Sequence, residues 1–134
     1  MKQPDPKRHS LTGHRLRRNA EYQLAYKAAR KFQSQSMSWF LAPRTAAADE
    51  AGTLTEPRVG LTAGKVLGPA HERNRIKRRM RDVLRKNIAQ LPPGCDLIFH
   101  PRRTVLTIEY KKLEAEVLRI LTQARTEAER LVKS

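Results

Sequence analysis

The sequence predicts a single domain that mixes α-helices with β-strands. Apolar residues recur at helical spacing in three segments, and three shorter segments between them fit strands, either by alternation or as apolar runs that end at glycine or proline. The predicted order along the chain is helix, strand, strand, helix, strand, helix. With 134 residues, of which 39% are hydrophobic, the chain is long enough for one modest core.

An N-terminal arm is predicted to precede the first helix. Residues 1–10 contain two prolines and no apolar periodicity, and we assign residues 1–14 to a flexible, basic arm. The first helix is predicted from Asn19 to Lys31, because the apolar residues of this segment recur at helical spacing. These residues are Tyr22, Ala25, Tyr26, Ala29 and Phe32.

Two strands joined by a loop are predicted next. Residues 36–41 alternate between two sets of side chains, which is typical of a strand with two different faces, and Pro43 ends this strand. One set is Met37, Trp39 and Leu41, and the other is Ser36, Ser38 and Phe40. Residues 45–56 follow neither period and are predicted to form a flexible hairpin loop, after which residues 58–64 form the second strand.

A strongly basic helix is predicted after a turn at residues 64–69, which contains two glycines and a proline. Its apolar residues lie on one stripe, formed by Ile76, Met80, Val83, Leu84 and Ile88. Eight of the fourteen residues from Arg73 to Lys86 are Lys or Arg, and Asp82 is the one acid within that run. Residues 92–94, Pro-Pro-Gly, stop the helix.

One more strand and one more helix complete the predicted domain. Residues 96–100 form a short apolar strand that ends at Pro101, and Thr107 is the predicted N-cap of the last helix. That helix carries Tyr110, Leu113, Val117, Leu118, Ile120 and Leu121. We place the domain at residues 15–124 and assign residues 125–134 to a C-terminal tail in which the helix frays.

The charge of the chain indicates a polyanionic partner. The formal net charge is +15, and most of it lies before residue 95. Repulsion among the cations of the basic helix would weaken an isolated helix by a few tenths of a kcal/mol per like-charge pair, which is roughly the size of a favourable pair. We therefore expect a partner outside the protein to neutralise them. Nucleic acid fits best, because binding to its phosphates releases condensed counterions.

Other partners and compartments fit the sequence less well. No apolar run approaches 18 residues and no apolar segment follows the polar N-terminus, so we expect a cytoplasmic protein with no membrane partner. A helix-turn-helix DNA reader needs a short helix directly before its recognition helix, where this sequence has a glycine-containing strand, so we expect no DNA partner. Cys95 is the only cysteine, which excludes an internal disulfide and a zinc site built from thiols.

The sequence does not assemble a catalytic site for hydrolysis. The four histidines lie in separate contexts, at His9, His14, His71 and His100. The acids of the last helix are predicted to form a solvated face, made of Glu109, Glu114 and Glu116. Residues 60–65 resemble a phosphate-binding loop, but they have three residues between the glycines instead of four, and Val66 replaces the required Ser or Thr, so we predict a turn. We expect no catalytic residue and no metal ligand in this chain.

The aromatic residues fit either a core or a stacking surface. Tyr22 and Tyr26 share one side of the first helix, and Phe40 lies on the strand face opposite Trp39. Aromatic residues at helical spacing usually belong to a core, so both interpretations stay open for these rings. The serines beside Phe40 favour a partly wet surface, on which single-stranded bases stack for roughly 1–3 kcal/mol each.

One segment of the basic helix carries a family resemblance. Residues 70–78 have the sequence Ala-His-Glu-Arg-Asn-Arg-Ile-Lys-Arg, with Arg81 after them, and this resembles the Arg-Asn-Arg signature of the bacterial ribonuclease P protein subunit. The similarity extends in the same order over residues 15–122, from Arg15-Leu16 through the strand with Phe40 to Leu113-Glu114.

The resemblance implies an α/β (α+β) two-layer sandwich of αβββαβα-like order, with a small mixed sheet and a left-handed βαβ crossover, similar to domain 2 of a ribosomal protein. It implies that residues 15–124 form one RNA-binding domain of the ribonuclease P type. The implied function is that of the protein subunit of a ribonucleoprotein that removes the 5′ leader from precursor tRNA. The catalytic RNA would perform the hydrolysis with Mg²⁺ that it binds itself, and the protein alone would bind none.

Two groups of binding residues follow from the resemblance by position. The cleft for the single-stranded leader would contain Tyr22, Tyr26 and Phe40 for stacking, with Lys77 and Arg81 on the backbone. The motif that binds the catalytic RNA would contain Arg73, Asn74, Arg75, Arg78 and Lys65. The lysine pair often found in the family after the second strand is reduced here to Lys65 followed by Val66. The alternative is a ribosomal-type structural RNA-binding protein, which shares the charge and much of the fold but needs no leader cleft.

Overall fold

The computed structural model describes residues 15–16, 18–44 and 57–133. The predicted arm at residues 1–14 and the predicted hairpin loop at residues 45–56 lie outside the described residues. The helices and strands of the described part are α1 (Asn19–Ala28), β1 (Arg30–Gln33), β2 (Met37–Pro43), β3 (Arg58–Leu61), α2 (Ala70–Lys86), β4 (Cys95–Pro101), α3 (Thr104–Thr107) and α4 (Tyr110–Lys133). Short 3₁₀ turns lie before and after α2, at Lys65–Leu67 and Ile88–Gln90.

The strands form one mixed sheet in the order β1-β2-β4-β3. β1, β2 and β4 are antiparallel neighbours, whereas β3 runs parallel to β4, and α2 lies between these two parallel strands along the chain. Beyond β3, the segment before α1 joins the edge of the sheet, where the Leu16 N–H donates to the Val59 carbonyl at 2.8 Å. This arrangement confirms the predicted mixed α+β fold. The left hand of the β3–α2–β4 crossover stays a prediction.

The main core lies between one face of the sheet and the helices α2, α3 and α4. Four apolar residues of α2 are fully buried there, which confirms most of the predicted stripe: Ile76, Met80, Val83 and Leu84. The sheet contributes Met37, Trp39, Leu41, Leu97 and Phe99. Because burying one aliphatic side chain of this size contributes about 1.5–3 kcal/mol, the stripe fixes the rotation of α2 about its own axis.

A smaller apolar cluster lies on the opposite face of the sheet, under α1, and contains Leu16, Ala25, Ala42 and Ile98. Next to it, Arg58 of β3 donates from Nε and Nη2 to the two carboxylate oxygens of Asp96, at 2.8 and 2.9 Å. Its Nη1 donates to Glu21 of α1. Apolar packing and this ion pair together hold α1 over part of the face and leave Phe40 and His100 half-buried beside it.

The first helix ends earlier than predicted, and a strand follows it. α1 stops at Ala28, and β1 pairs with Ser38–Leu41 of β2. The prediction of a helix to Lys31 is therefore wrong. Phe32, counted with that helix, stacks instead on Trp39 across the β1–β2 pair, with ring centroids 4.3 Å apart. Cross-strand pairing and this stacking outweigh the helical spacing that Phe32 shares with α1.

Two boundaries around the basic helix also differ from the prediction. β3 ends at Leu61 instead of residue 64. α2 ends at Lys86, so Ile88 lies in the following 3₁₀ turn and not on the helix, although it still packs against the main core. Asn87 ends α2, because its side-chain amide donates to the Val83 carbonyl at 2.8 Å and so satisfies an acceptor that the helix leaves unpaired.

The C-terminal helices begin and end differently from the prediction. Thr107 is the last residue of α3 and not the N-cap of the last helix, which begins at Tyr110. The prediction failed because α3 is a single turn, too short for its spacing to be recognised in the sequence. α4 runs without a break to Lys133, past the predicted end of the domain at residue 124, and Ala128 is buried.

Glu116 of α4 is a buried anchor, and its prediction as part of a solvated face is wrong. The residue is 2% exposed. Its Oε2 accepts hydrogen bonds from the Ser34 hydroxyl at 2.6 Å and from the Ser36 backbone N–H at 2.7 Å. The carboxylate therefore holds the turn between β1 and β2 against α4, a pairing that no spacing within α4 predicts.

Gly68 is expected to be indispensable for the turn before α2. It has φ 120° and ψ −164°, a region that is essentially restricted to glycine. A Cβ there would lie 2.6 Å from Arg103 Nη1 and 2.9 Å from Glu72 Oε1, two groups that form an ion pair at 3.0 Å. We expect Gly68→Ala to lower the free energy of unfolding by roughly 1–3 kcal/mol in urea titrations.

Gly64→Ala is the matched control for this substitution. A Cβ at position 64 meets nothing within 4 Å, and its backbone φ of −77° suits any residue. The control should change the free energy of unfolding by less than about 0.5 kcal/mol. Equal losses for the two variants would contradict the assigned geometry of Gly68.

Candidate nucleic-acid interface

Four rings meet on the open face of the sheet beside α1, and we call them the aromatic cleft. Phe40 of β2 packs edge-on against Tyr26, with ring centroids 5.2 Å apart, and Tyr22 lies 6.3 Å from Tyr26. His100 of β4 contacts both neighbours, at 5.9 Å from Tyr26 and 4.9 Å from Phe40. Lys31 Nζ lies 5.8 Å from the centre of the Phe40 ring. The cleft therefore combines aromatic surface with a cation at its side.

The fold brings together the three rings that the resemblance predicts. Tyr22 and Tyr26 are four residues apart on α1, and strand alternation turns Phe40 away from the main core. All three pack against the smaller cluster under α1 and remain half-buried. Each ring therefore packs on the protein and keeps an accessible surface, and base stacking stays a prediction.

Gly60 of β3 allows the Tyr22 ring to approach the sheet. A Cβ at position 60 would lie 2.7 Å from Cε1 of that ring, too close for any residue other than glycine. The Tyr22 hydroxyl donates to the Leu16 carbonyl at 3.4 Å, and burial raises the pKa of this hydroxyl. Gly60 is therefore a strand residue that positions a ring, and its place in the predicted second strand is confirmed.

His100 is a member of the cleft that the sequence analysis did not assign. Its Nε2 lies 2.7 Å from the Tyr26 hydroxyl oxygen. Burial lowers the pKa of the imidazole, and the charge of Lys31 lowers it further. The alternation of side chains along β4 indicates this placement. Ile98 is the cross-strand partner of Phe40, and His100 lies two residues further along β4 on the same face.

A small basic pocket adjoins the cleft at Tyr22. It encloses about 120 Å³ and is lined by Arg15, Leu16, Tyr22, Val59, Gly60, Leu61, Lys77 and Arg81. Lys77 and Arg81 lie one turn apart on the flank of α2 beside the buried stripe, so the docking of the helix places both at the pocket. Since Tyr22 lines the pocket and belongs to the cleft, the two form one continuous surface.

The basic pocket is complementary to an anion. Arg15, Lys77 and Arg81 supply three cations, and no acidic residue is among those that line it. Arg81 Nε is buried without a hydrogen-bond partner in the described part of the chain. Burial and then the charge of Arg15 lower the pKa of the Arg81 guanidinium, while Tyr22 raises it. A phosphate group would supply both the missing acceptor and the missing negative charge.

Most of the predicted motif for the catalytic RNA faces solvent. Asn74, Arg75 and Arg78 are exposed, and within the described residues their side chains form no hydrogen bond or ion pair. Arg73 is half-buried, and its Nε donates to the Gly68 carbonyl at 3.2 Å. Lys65 is exposed on the 3₁₀ turn that precedes α2. These residues form a second surface, which we call the motif surface.

Three cations of α2 also have partners within the protein. Arg79 donates to the carbonyls of Val105, at 2.6 Å, and Ile108. Asp82 pairs with the two cations that follow it one turn later, Arg85 and Lys86. Spacing reveals the pairs with Asp82, whereas the bonds of Arg79 join segments far apart in the sequence.

The remaining features of the described chain add no further chemistry to this surface. Among the described residues, no group of three or more His, Cys, Asp or Glu side chains is placed to hold a metal ion. In the same part of the chain, no helix has both the length and the apolar character needed to cross a membrane. Cys95 is buried at the start of β4, and burial raises the pKa of its thiol to about 11.

A known protein family contains this combination of fold and motif. The Ribonuclease P family model matches residues 12–125. The chain belongs to the ribonuclease P protein family. This confirms the resemblance seen at residues 70–81. Members of the ribonuclease P protein family are the RNA-binding component of a ribonucleoprotein that processes tRNA, so RNA is the partner class of this chain.

Curated relatives agree with this assignment. The ribonuclease P protein component of Finegoldia magna is 32% identical over 110 residues, which cover 82% of this chain and 89% of that protein. The ribonuclease P protein component of Thermobifida fusca is 30% identical over 114 residues, covering 83% of this chain and 78% of that protein. Both matches span most of each ribonuclease P protein.

Solved ribonuclease P protein structures share the fold. The protein from Staphylococcus aureus superposes with a TM-score of 0.68 at 20% identity, over 84% of this chain and 95% of that one. The protein from Thermotoga maritima gives a TM-score of 0.68 at 21% identity, over 82% of this chain and 96% of that one. At this identity the likeness shows that the ribonuclease P protein fold is kept while most side chains differ.

Arg79 and Arg78 form a matched pair that separates structural from exposed cations. Arg79→Met keeps the apolar stem but leaves two backbone carbonyls without their donor, and we expect it to lower the free energy of unfolding by roughly 1–3 kcal/mol. Arg78→Met removes the same charge from an exposed site and should change it by less than about 0.5 kcal/mol. Chemical denaturation measures both, and a larger loss for Arg78→Met would refute the assignment.

Proposed function

We propose that this ribonuclease P protein binds the single-stranded 5′ leader of precursor tRNA in the aromatic cleft and the basic pocket, while the catalytic RNA removes the leader. The single observation that carries the proposal is the junction at Tyr22, where stacking rings meet a pocket that is lined by three cations and by no acidic residue. In this proposal the RNA subunit performs the hydrolysis with Mg²⁺ that it binds, and the protein contributes no catalytic residue. The complex acts in the cytoplasm.

The chemistry of a single strand fits this surface part by part. Unpaired bases expose their faces, and the half-buried rings of Tyr22, Tyr26 and Phe40 offer stacking worth roughly 1–3 kcal/mol per base. The backbone carries one phosphate per nucleotide, and Lys77 and Arg81 stand beside the rings to receive one. A duplex would keep its base faces covered, so the combination favours a single strand over a helix.

The motif surface is proposed to bind the catalytic RNA. Its residues are Arg73, Asn74, Arg75, Arg78 and Lys65. Successive residues of a helix are about 100° apart, so Arg78 projects in a different direction from its neighbour Lys77. α2 therefore presents one flank to the leader and its outer face to another RNA. Arginine suits a structured RNA, because its planar fork binds phosphate oxygens in pairs.

Precursor tRNA cleavage by the cognate RNA subunit tests the proposal directly. At low ionic strength, where phosphate repulsion is poorly screened, addition of the protein should stimulate Mg²⁺-dependent removal of the leader. Tyr22→Leu and Phe40→Leu keep apolar packing but lose a ring, so each should weaken binding of leader-bearing substrate by roughly 5- to 150-fold, the equivalent of one stacked base. Binding of substrate without a leader should stay unchanged.

Leu24→Ala is the control for the ring variants, because Leu24 lies on α1 with half of its side chain exposed and outside the cleft. It should leave both substrates unaffected. If the ring variants fail to change the discrimination between substrates with and without a leader, the proposal is wrong, and a ribosomal-type structural role in RNA binding is supported instead. If the protein fails to stimulate cleavage at all, the result contradicts both the proposed leader binding and the proposed role of the protein beside the catalytic RNA.

A further inference from the structure

A line of polar groups crosses the otherwise aromatic cleft. The Tyr26 hydroxyl lies 2.7 Å from His100 Nε2 on one side and 3.5 Å from the Thr62 hydroxyl on the other. His100 itself lies between the rings of Tyr26 and Phe40. Stacking needs only the faces of the rings, so it does not explain why hydrogen-bonding groups line this part of the cleft.

The second nitrogen of His100 is available to a ligand. Nδ1 forms no hydrogen bond with any described residue, and it is not sealed from solvent. Burial and then the charge of Lys31 lower the pKa of the imidazole, which favours its neutral form. A neutral imidazole carries one donor and one acceptor.

The contact with Tyr26 decides which nitrogen carries the proton. A phenolic hydroxyl is a stronger donor than a neutral imidazole N–H, and an imidazole nitrogen is a stronger acceptor than a phenolic oxygen. We therefore assign Tyr26 as the donor to Nε2, which places the ring proton on Nδ1. His100 then carries an N–H group on the nitrogen that has no partner among the described residues, and the hydrogen bond to Tyr26 holds the ring in place.

The position of this N–H favours a base edge over a phosphate. Anions are accommodated at the other end of the surface, where Arg15, Lys77 and Arg81 line the basic pocket. At His100 the neighbours are the rings of Phe40 and Tyr26, which suit a base face, and one cation, Lys31, in place of the three that line the pocket. A base stacked on these rings would bring its polar edge to the imidazole.

We propose that His100 is a specificity-determining residue, whose Nδ1–H donates a hydrogen bond to an acceptor atom of one leader base stacked in the aromatic cleft. The inference rests on the proposed binding of the leader and goes beyond it. Stacking alone tolerates every base, whereas a fixed donor distinguishes bases that present an acceptor from those that do not. This chain therefore selects among leader sequences at one position.

The test uses the assembled complex and precursor tRNAs in which each leader base in turn is replaced by a nonpolar aromatic isostere, which stacks but accepts no hydrogen bond. With the unaltered protein, one position should show a loss of affinity of about three- to tenfold, the usual effect of one hydrogen bond. With His100→Phe, which keeps a ring but has no N–H, the natural base and the isostere should bind equally at that position.

His100→Val provides a second variant that removes the same donor and suits a strand, in case the larger ring of phenylalanine disturbs folding. Loss of the isostere penalty in a folded variant supports the inference. A penalty that persists in either folded variant overturns it, as does the absence of any sensitive position with the unaltered protein. Tyr22→Leu and Phe40→Leu test the proposed leader binding separately from the role of His100. If these variants bind the natural leader with unchanged affinity, the proposed leader binding itself is wrong.

Discussion

The burial of one apolar stripe of α2 against the sheet is the constraint on which the basic pocket and the motif surface depend. Ile76, Met80, Val83 and Leu84 are fully buried. Each contributes about 1.5–3 kcal/mol, whereas like-charge pairs on the helix cost only a few tenths of a kcal/mol each. The apolar term therefore dominates, and the helix stays docked in one rotation although most of its remaining circumference is cationic.

That fixed rotation sorts the cations of α2 by direction. Lys77 and Arg81 lie on the flank that faces β3 and Tyr22, so they line the basic pocket. Arg79 lies on the other flank and binds carbonyls of the segment after β4. Arg78 faces outward and stays exposed. Residues of identical chemistry thus acquire different roles, because the roles depend on angle about the helix axis and not on residue type.

Sequence reasoning succeeded where a single element carries its own signal and failed where distant segments meet. The alternation of β2 placed Phe40 on the open face, and the stripe of α2 was recognised apart from its last residue. Phe32 was assigned to a helix because its strand partner lies across a turn. The partners of Arg79 and Glu116 within the protein could not be predicted, because they lie 26 to 82 residues away in the sequence. His100 needed the register of β4 against β2 before it could be placed in the cleft.

The central claim, that the rotation of α2 divides its cations between two RNAs, is tested most directly by equilibrium binding of two charge-matched double variants. One combines Lys77→Ala with Arg81→Met, and the other combines Arg75→Ala with Arg78→Met. We predict that the first weakens binding of leader-bearing precursor tRNA by the assembled complex and spares binding of the protein to the catalytic RNA. The second should do the reverse. If both variants weaken both interactions equally, the cations act as one undivided polyanion surface and the claim is wrong.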